Sequence, residues 1–83
     1  MTKAMAYVLI TVKHGSSQEV AKELLKYSEV FDVHELFGQY DLILKTALDS
    51  TRELSEFVHD KIISVPEVES TETLVISDVI DEV

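Results

Sequence analysis

Cysteine and tryptophan are absent from the 83 residues, proline occurs once and glycine twice. Without cysteine the chain has no disulfide, thiolate metal site, iron–sulfur cluster or cysteine nucleophile, which fits a reducing cytoplasm. With so little glycine no Gly-rich phosphate loop can be built, and no Gly-x-Ser-x-Gly nucleophile elbow occurs. Basic residues are also few, 7 against 16 acidic ones, for a formal net charge of −9. That balance repels phosphate backbones and argues against direct nucleic-acid binding. No apolar run approaches the ~18 residues of a membrane span. The start, Met1-Thr2-Lys3-Ala4-Met5, runs straight into a β-like segment without the pattern of a secretory signal.

What is abundant is apolar material, at 46% of residues. The length fits one domain over residues 1–83. A chain this short buries only about 60–65% of its unfolded surface. More hydrophobic side chains are present than one small core needs, so self-association is expected.

Periodicity orders the elements. Met5 to Lys13 is β-branched and aromatic and reads as a strand, with Val8, Ile10 and Val12 on one face and Tyr7, Leu9 and Thr11 on the other. After His14-Gly15 a helix opens at Ser16, where Ser16 with Glu19 has capping-box spacing; Val20, Ala21, Leu24 and Leu25 form its apolar stripe. Val30 to Phe37 reads as a strand with Phe31, Val33, Glu35 and Phe37 on one face and Val30, Asp32, His34 and Leu36 on the other. Gly38-Gln39-Tyr40-Asp41 links it to a returning strand, Leu42 to Ala47, as an antiparallel hairpin. A second helix begins at Asp49-Ser50-Thr51, again with box spacing (Ser50, Glu53), and carries Leu54, Phe57, Val58 and Ile62 until Val65-Pro66 stops it. Val68 to about Ile80 is the last strand, and the tail from Asp78 to Val83 is expected to fray or to pair only in an oligomer. The order is β-α-β-β-α-β. Right-handed crossovers make it a ferredoxin-like α+β fold, a four-stranded antiparallel sheet with two helices on one face. The other face is left open and is too apolar to stay wet; a second copy is the simplest cover.

Few residues invite chemistry. His14, His34 and His59 are scattered over turn, strand and helix. His34 shares a strand face with Asp32, but metal sites usually need three or more convergent ligands, so two polar positions on an edge strand is the better reading. No catalytic set, metal site or cofactor site is expected. The turn Phe37-Gly38-Gln39-Tyr40-Asp41 has two readings. Gly38 can simply supply a positive φ and Asp41 can cap the turn; alternatively, the carboxylate of Asp41 can receive an ammonium and turn amides a carboxylate, so that the segment holds a zwitterion. Thr71 and Thr73 likewise can line a polar pocket from one strand face or reflect ordinary β-propensity.

The hairpin Val33-His34-Glu35-Leu36-Phe37-Gly38-Gln39-Tyr40-Asp41-Leu42-Ile43-Leu44 resembles the V…G-x-Y-D-apolar hairpin of the leucine-responsive regulator/AsnC (Lrp/AsnC) family. The stretch from Ile62 to Val75 is similar to that family's helix end, its x-P-G-V turn, with Glu67 in place of the glycine, and its final T-x-T-x-V strand. The similarity covers essentially the whole chain as the effector-binding domain called RAM. Full members carry a helix-turn-helix before this module, and the first strand here starts close to Met1, so the resemblance implies a stand-alone effector domain without a DNA reader. It further implies a homodimer formed through the sheets and assembled into a larger ring, commonly an octamer, with a free amino acid bound between dimers near the hairpin. Gly38, Tyr40 and Asp41 are then the foremost ligand-binding residues, followed by Thr71 and Thr73. Full-length Lrp/AsnC regulators are possible partners; nucleic acid, by direct contact, and membrane are not. Two rivals share the plan. A cofactor-free enzyme resembling the dimeric α+β barrel type would centre on His34 beside Asp32. An ACT-type sensor would bind at His14-Gly15-Ser16-Ser17, which lacks an Asp-x-x-Gly pattern.

Overall fold

The computed structural model describes residues 3–78. Within them the chain forms β1 (Ala4–Val12), α1 (Ser17–Leu24), β2 (Val30–Glu35), β3 (Leu42–Leu48), α2 (Thr51–Phe57) with a π-helical turn (Val58–Ile62) behind it, and β4 (Val68–Val75). The strands lie in the order β2-β3-β1-β4, every neighbouring pair antiparallel. This is the ferredoxin-like arrangement.

β1 is a central strand, paired with β3 on one side and β4 on the other. Its alternation divides the molecule in two. Ala6, Val8, Ile10 and Val12 are buried beneath the helices with Leu42 and Leu44 of β3, Val20 and Leu24 of α1, and Leu54, Phe57, Val58 and Ile62 behind β3. Burying each such Val, Leu, Ile or Phe contributes roughly 1.5–3 kcal/mol. Tyr27 meets Phe57 edge-on, with ring centroids 5.7 Å apart, and closes the core beside both helices. Thr46 is a polar residue buried completely in this layer; its hydroxyl donates to the Glu29 carbonyl at 2.6 Å, which removes the cost of a buried unpaired group.

The register sets Met5, Tyr7, Leu9 and Thr11 on the opposite, open face, beside Ile43 and Lys45 of β3 and Ser70, Glu72 and Leu74 of β4. Tyr7 and Leu74 keep 38% and 47% of their surface accessible there, which is high for large apolar side chains in the middle of a sheet. Lys45 lies over the Tyr7 ring, 5.8 Å from its centroid. The Thr11 and Ser70 hydroxyls bond to each other across β1 and β4.

Three expectations change. A register shift between Val30 and Asp32 inserts an extra residue into β2. It reverses the alternation at that point: Val30 is buried on the side of Val33, Phe31 stays 55% exposed, and the strand stops at Glu35, leaving Phe37 fully exposed beyond it. The Ser16–Glu19 box does not form. The chain enters α1 from a tight turn, with Gly15 at φ +83 and the Ser16 amide bonded to the Lys13 carbonyl at 3.0 Å, so Ser16 sits at φ −101, ψ 0 and makes no side-chain cap. Ser50, by contrast, is extended (φ −151, ψ 164) and its hydroxyl oxygen accepts from the Glu53 amide at 3.1 Å. Finally, β4 ends at Val75 and residues 76–78 are not strand, although Ile76 still donates its amide to the Met5 carbonyl; the rest of the expected run to Ile80, and most of the tail, lie in 79–83, outside the described residues.

These two helix starts predict different costs. Ser50→Ala should lower unfolding free energy in urea by about 1 kcal/mol, and Ser16→Ala by less than about 0.5 kcal/mol. Equal losses would contradict the assigned caps.

Candidate functional site

The β2–β3 hairpin carries the residues singled out from the sequence, and Asp41 organises it. The loop is closed by the Leu36 amide donating to the Asp41 carbonyl at 2.9 Å. The Asp41 amide donates to the Ile10 carbonyl at 2.9 Å, and its carboxylate oxygen Oδ2 accepts from the Val12 amide at 2.8 Å. Asp41 therefore fastens the hairpin to the end of β1 at the register shift between Thr11 and Val12, where the ladder to β4 is interrupted. Gly38, at the tip, has φ +125. A side chain there would meet no neighbour within 4 Å, so backbone conformation alone is what requires glycine.

Asp41 also borders a polar cleft of about 570 Å³ between the hairpin and the start of α1. Glu35 stands on the hairpin side, and Gly15, Ser17, Gln18, Lys13 and Lys22 on the other. Because Ser16 provides no side-chain cap, the first amides of α1 are not taken by its hydroxyl. The cleft thus has two carboxylates, Asp41 and Glu35, on the hairpin side, and Lys13, Lys22 and a third carboxylate, Glu19, on the side of α1. Carboxylates facing lysines can meet the two ends of a zwitterion.

Tyr40 turns elsewhere. Its hydroxyl donates to the Glu72 carboxylate on β4, and Glu72, opposite Leu9, belongs to the open face of the sheet. This hydrogen bond, with the nearby negative charge of Glu72, raises the Tyr40 phenol above its ordinary value. Thr71 and Thr73 do share a face, but they oppose Ile10 and Val8 and so lie on the helix side. There they line a groove of about 420 Å³ with Leu54, Val58, His59 and Val75. Gly38, Tyr40 and Asp41 are one unit, and the two threonines, in a single protomer, face a different cavity. Glu72, between them, escaped the sequence reading: a glutamate in a strand looks like any solvated position until its partner from the hairpin is known.

The remaining candidates are peripheral. His34 Nε2 lies 3.7 Å from Asp32 Oδ1, both well exposed on the edge strand β2. His59 faces its neighbour Asp60, and His14 borders the cleft near Gly15. Among the described residues no three His, Asp or Glu side chains come together as metal ligands, and no helix is long and apolar enough to cross a membrane.

Comparison with known proteins gives a consistent picture. Residues 5–82 match the family described as the Lrp/AsnC ligand binding domain. The HTH-type transcriptional regulator FL11 of Pyrococcus abyssi is 42% identical over 72 residues, which are 87% of this chain and 47% of that protein. The chain spans about half the length of the curated relatives it matches. Among solved structures, FFRP-DM1 superposes with a TM-score of 0.85 at 33% identity, covering 88% of this chain and 97% of that one. The transcriptional regulator NMB0573 of Neisseria meningitidis, solved as its L-Met complex, shares the fold with a TM-score of 0.86 at 21% identity, over 95% of this chain and 53% of that one.

The Tyr40–Glu72 bond is open to direct titration. A raised phenol pKa means that the bond contributes in full below tyrosine's ordinary value, near ~10, and is lost as pH rises through the raised one. Followed by ultraviolet absorbance, one of the three tyrosines should ionise late, and Glu72→Gln should return it toward the ordinary range. A titration curve unchanged by Glu72→Gln would contradict the bond.

Proposed function

The chain belongs to the Lrp/AsnC ligand binding domain family, and from that premise we propose that it is an amino-acid-binding regulatory module that works as an oligomer in the cytoplasm. The observation that carries this reading is the Asp41 carboxylate, held by the Val12 amide at the edge of a cleft whose far wall carries Lys13 and Lys22 along with Glu19. In this reading the ligand's ammonium lies against Asp41 and Glu35. Its carboxylate faces the start of α1 and Lys13, because the amides of Leu36 and Asp41 are already spent on backbone carbonyls. Gly38 and Tyr40 shape the loop around it. The threonine groove joins the same site only when a neighbouring copy brings its own Thr71 and Thr73 to the hairpin, as expected for a ligand held between dimers. The transcriptional regulator NMB0573 of Neisseria meningitidis, which shares the fold, was solved as an L-Met complex, and this supports the ligand class.

The open face supports the oligomer. Met5, Tyr7, Leu9, Ile43 and Leu74 lie together on this face, flanked by Lys45 and Glu72, and a second copy related by a two-fold axis covers them with the same surface. Dimers built this way can assemble into the larger rings of the family. A net charge of −9 on each copy opposes that association, so screening by salt should favour it. The same charge keeps the domain itself off nucleic acid. In this reading its effect on transcription runs through assembly with HTH-type regulators of the family, and a ligand that prefers one assembly shifts the population toward it.

Calorimetric titration with each common amino acid in turn tests the site. One or a few should bind. Asp41→Asn, which keeps an acceptor for the Val12 amide but removes the charge, should weaken that binding on the order of 10- to 100-fold. Unaltered affinity in Asp41→Asn, or no binding by any amino acid, would overturn the assignment.

A further inference from the structure

The Tyr40–Glu72 bond joins two features that the proposed function treats separately. Tyr40 precedes Asp41 in the chain, and Asp41 is bonded to Ile10, Val12 and Leu36. Glu72 stands on the open face opposite Leu9, whose other neighbour is Ile43, so its carboxylate borders the apolar surface that a second copy would cover. The Tyr40 hydroxyl therefore reaches from the loop of one hairpin, past β1, to the edge strand β4. An acid at the margin of a covered face is costly unless something bonds it. Tyr40 supplies that bond, and drying of the face strengthens it, because water no longer competes for either group.

We infer that Glu72 is a positioning residue which, by accepting the Tyr40 hydroxyl, ties the Asp41 hairpin to the assembly face, so that covering of the sheet and filling of the cleft favour one another. The inference rests on the proposed amino-acid site and names its regulation. Its energetic form is reciprocal: whatever association does to hold the hairpin, a ligand holding the hairpin does equally for association. The assignment differs from a plain structural role in where it acts. Loss of the bond frees the hairpin and leaves the central ladder between β1 and β3 intact.

Amide hydrogen exchange, measured by NMR at protein concentrations below and above the association midpoint, separates these outcomes without needing the ligand. In the wild-type chain, exchange at Val12, Leu36 and Asp41 should slow as the protein associates. In Tyr40→Phe those three amides should exchange about threefold to tenfold faster, the change expected from one hydrogen bond, and should not respond to concentration although light scattering still finds association. Glu72→Gln keeps an acceptor and should recover part of the protection. Association with identical exchange in wild type and Tyr40→Phe would overturn the link and leave the proposed module standing. Faster exchange at Val8 and Leu44 as well would reduce Glu72 to a general stabiliser. A chain that stays monomeric at every concentration would remove the assembly reading, and the link with it.

Discussion

Pairing of β1 along both edges is the constraint from which the rest of the molecule follows. A strand bonded to β3 and β4 at once has no backbone left for water, so its side chains must be covered from above and below. Residues 6, 8, 10 and 12 are covered within the chain by the helices. Residues 5, 7, 9 and 11 lie on the opposite face, where none of the described helices covers them. The end of the same strand supplies the two backbone groups, the Ile10 carbonyl and the Val12 amide, that fix Asp41. One element therefore sets the core, the open face and the position of the Asp41 carboxylate.

The order of elements was legible because each relied on strong local signals. Alternation in Met5–Lys13, the stripe of Leu54, Phe57, Val58 and Ile62, and the glycine at the hairpin tip all act over a few residues. What failed were the features decided by geometry beyond that range. The bulge at Phe31 reversed the faces of β2, and no residue type there announces a bulge. Ser16 has the same box spacing as Ser50, yet the approach of the chain from Gly15 denies it the extended conformation a cap needs. Strand alternation correctly put Thr71 and Thr73 together but could not say which side of the sheet they face, since that depends on how β4 registers with Val8 and Ile10. Glu72 had no signal at all, because its partner lies 32 residues away in sequence.

As a member of the Lrp/AsnC ligand binding domain family, the chain corresponds to the regulatory half of relatives that are transcriptional regulators. Three hydrogen bonds, Asp41 with Val12, Tyr40 with Glu72 and Thr11 with Ser70, tie the hairpin and the strands β1 and β4 together. In the proposed account the cleft senses, the open face associates, and the hairpin stands between them. Binding energy of a small ligand is then converted into a change of oligomer, which a larger complex can read.

In the proposed reading, a small ligand at the hairpin and association through the open sheet face belong to one equilibrium. Light scattering behind a sizing column, run with and without each common amino acid, tests it most directly. A dimer or larger ring is expected, whose mass, or whose resistance to dilution, changes with at least one amino acid. A monomer under all conditions, or an assembly indifferent to every amino acid, would contradict it.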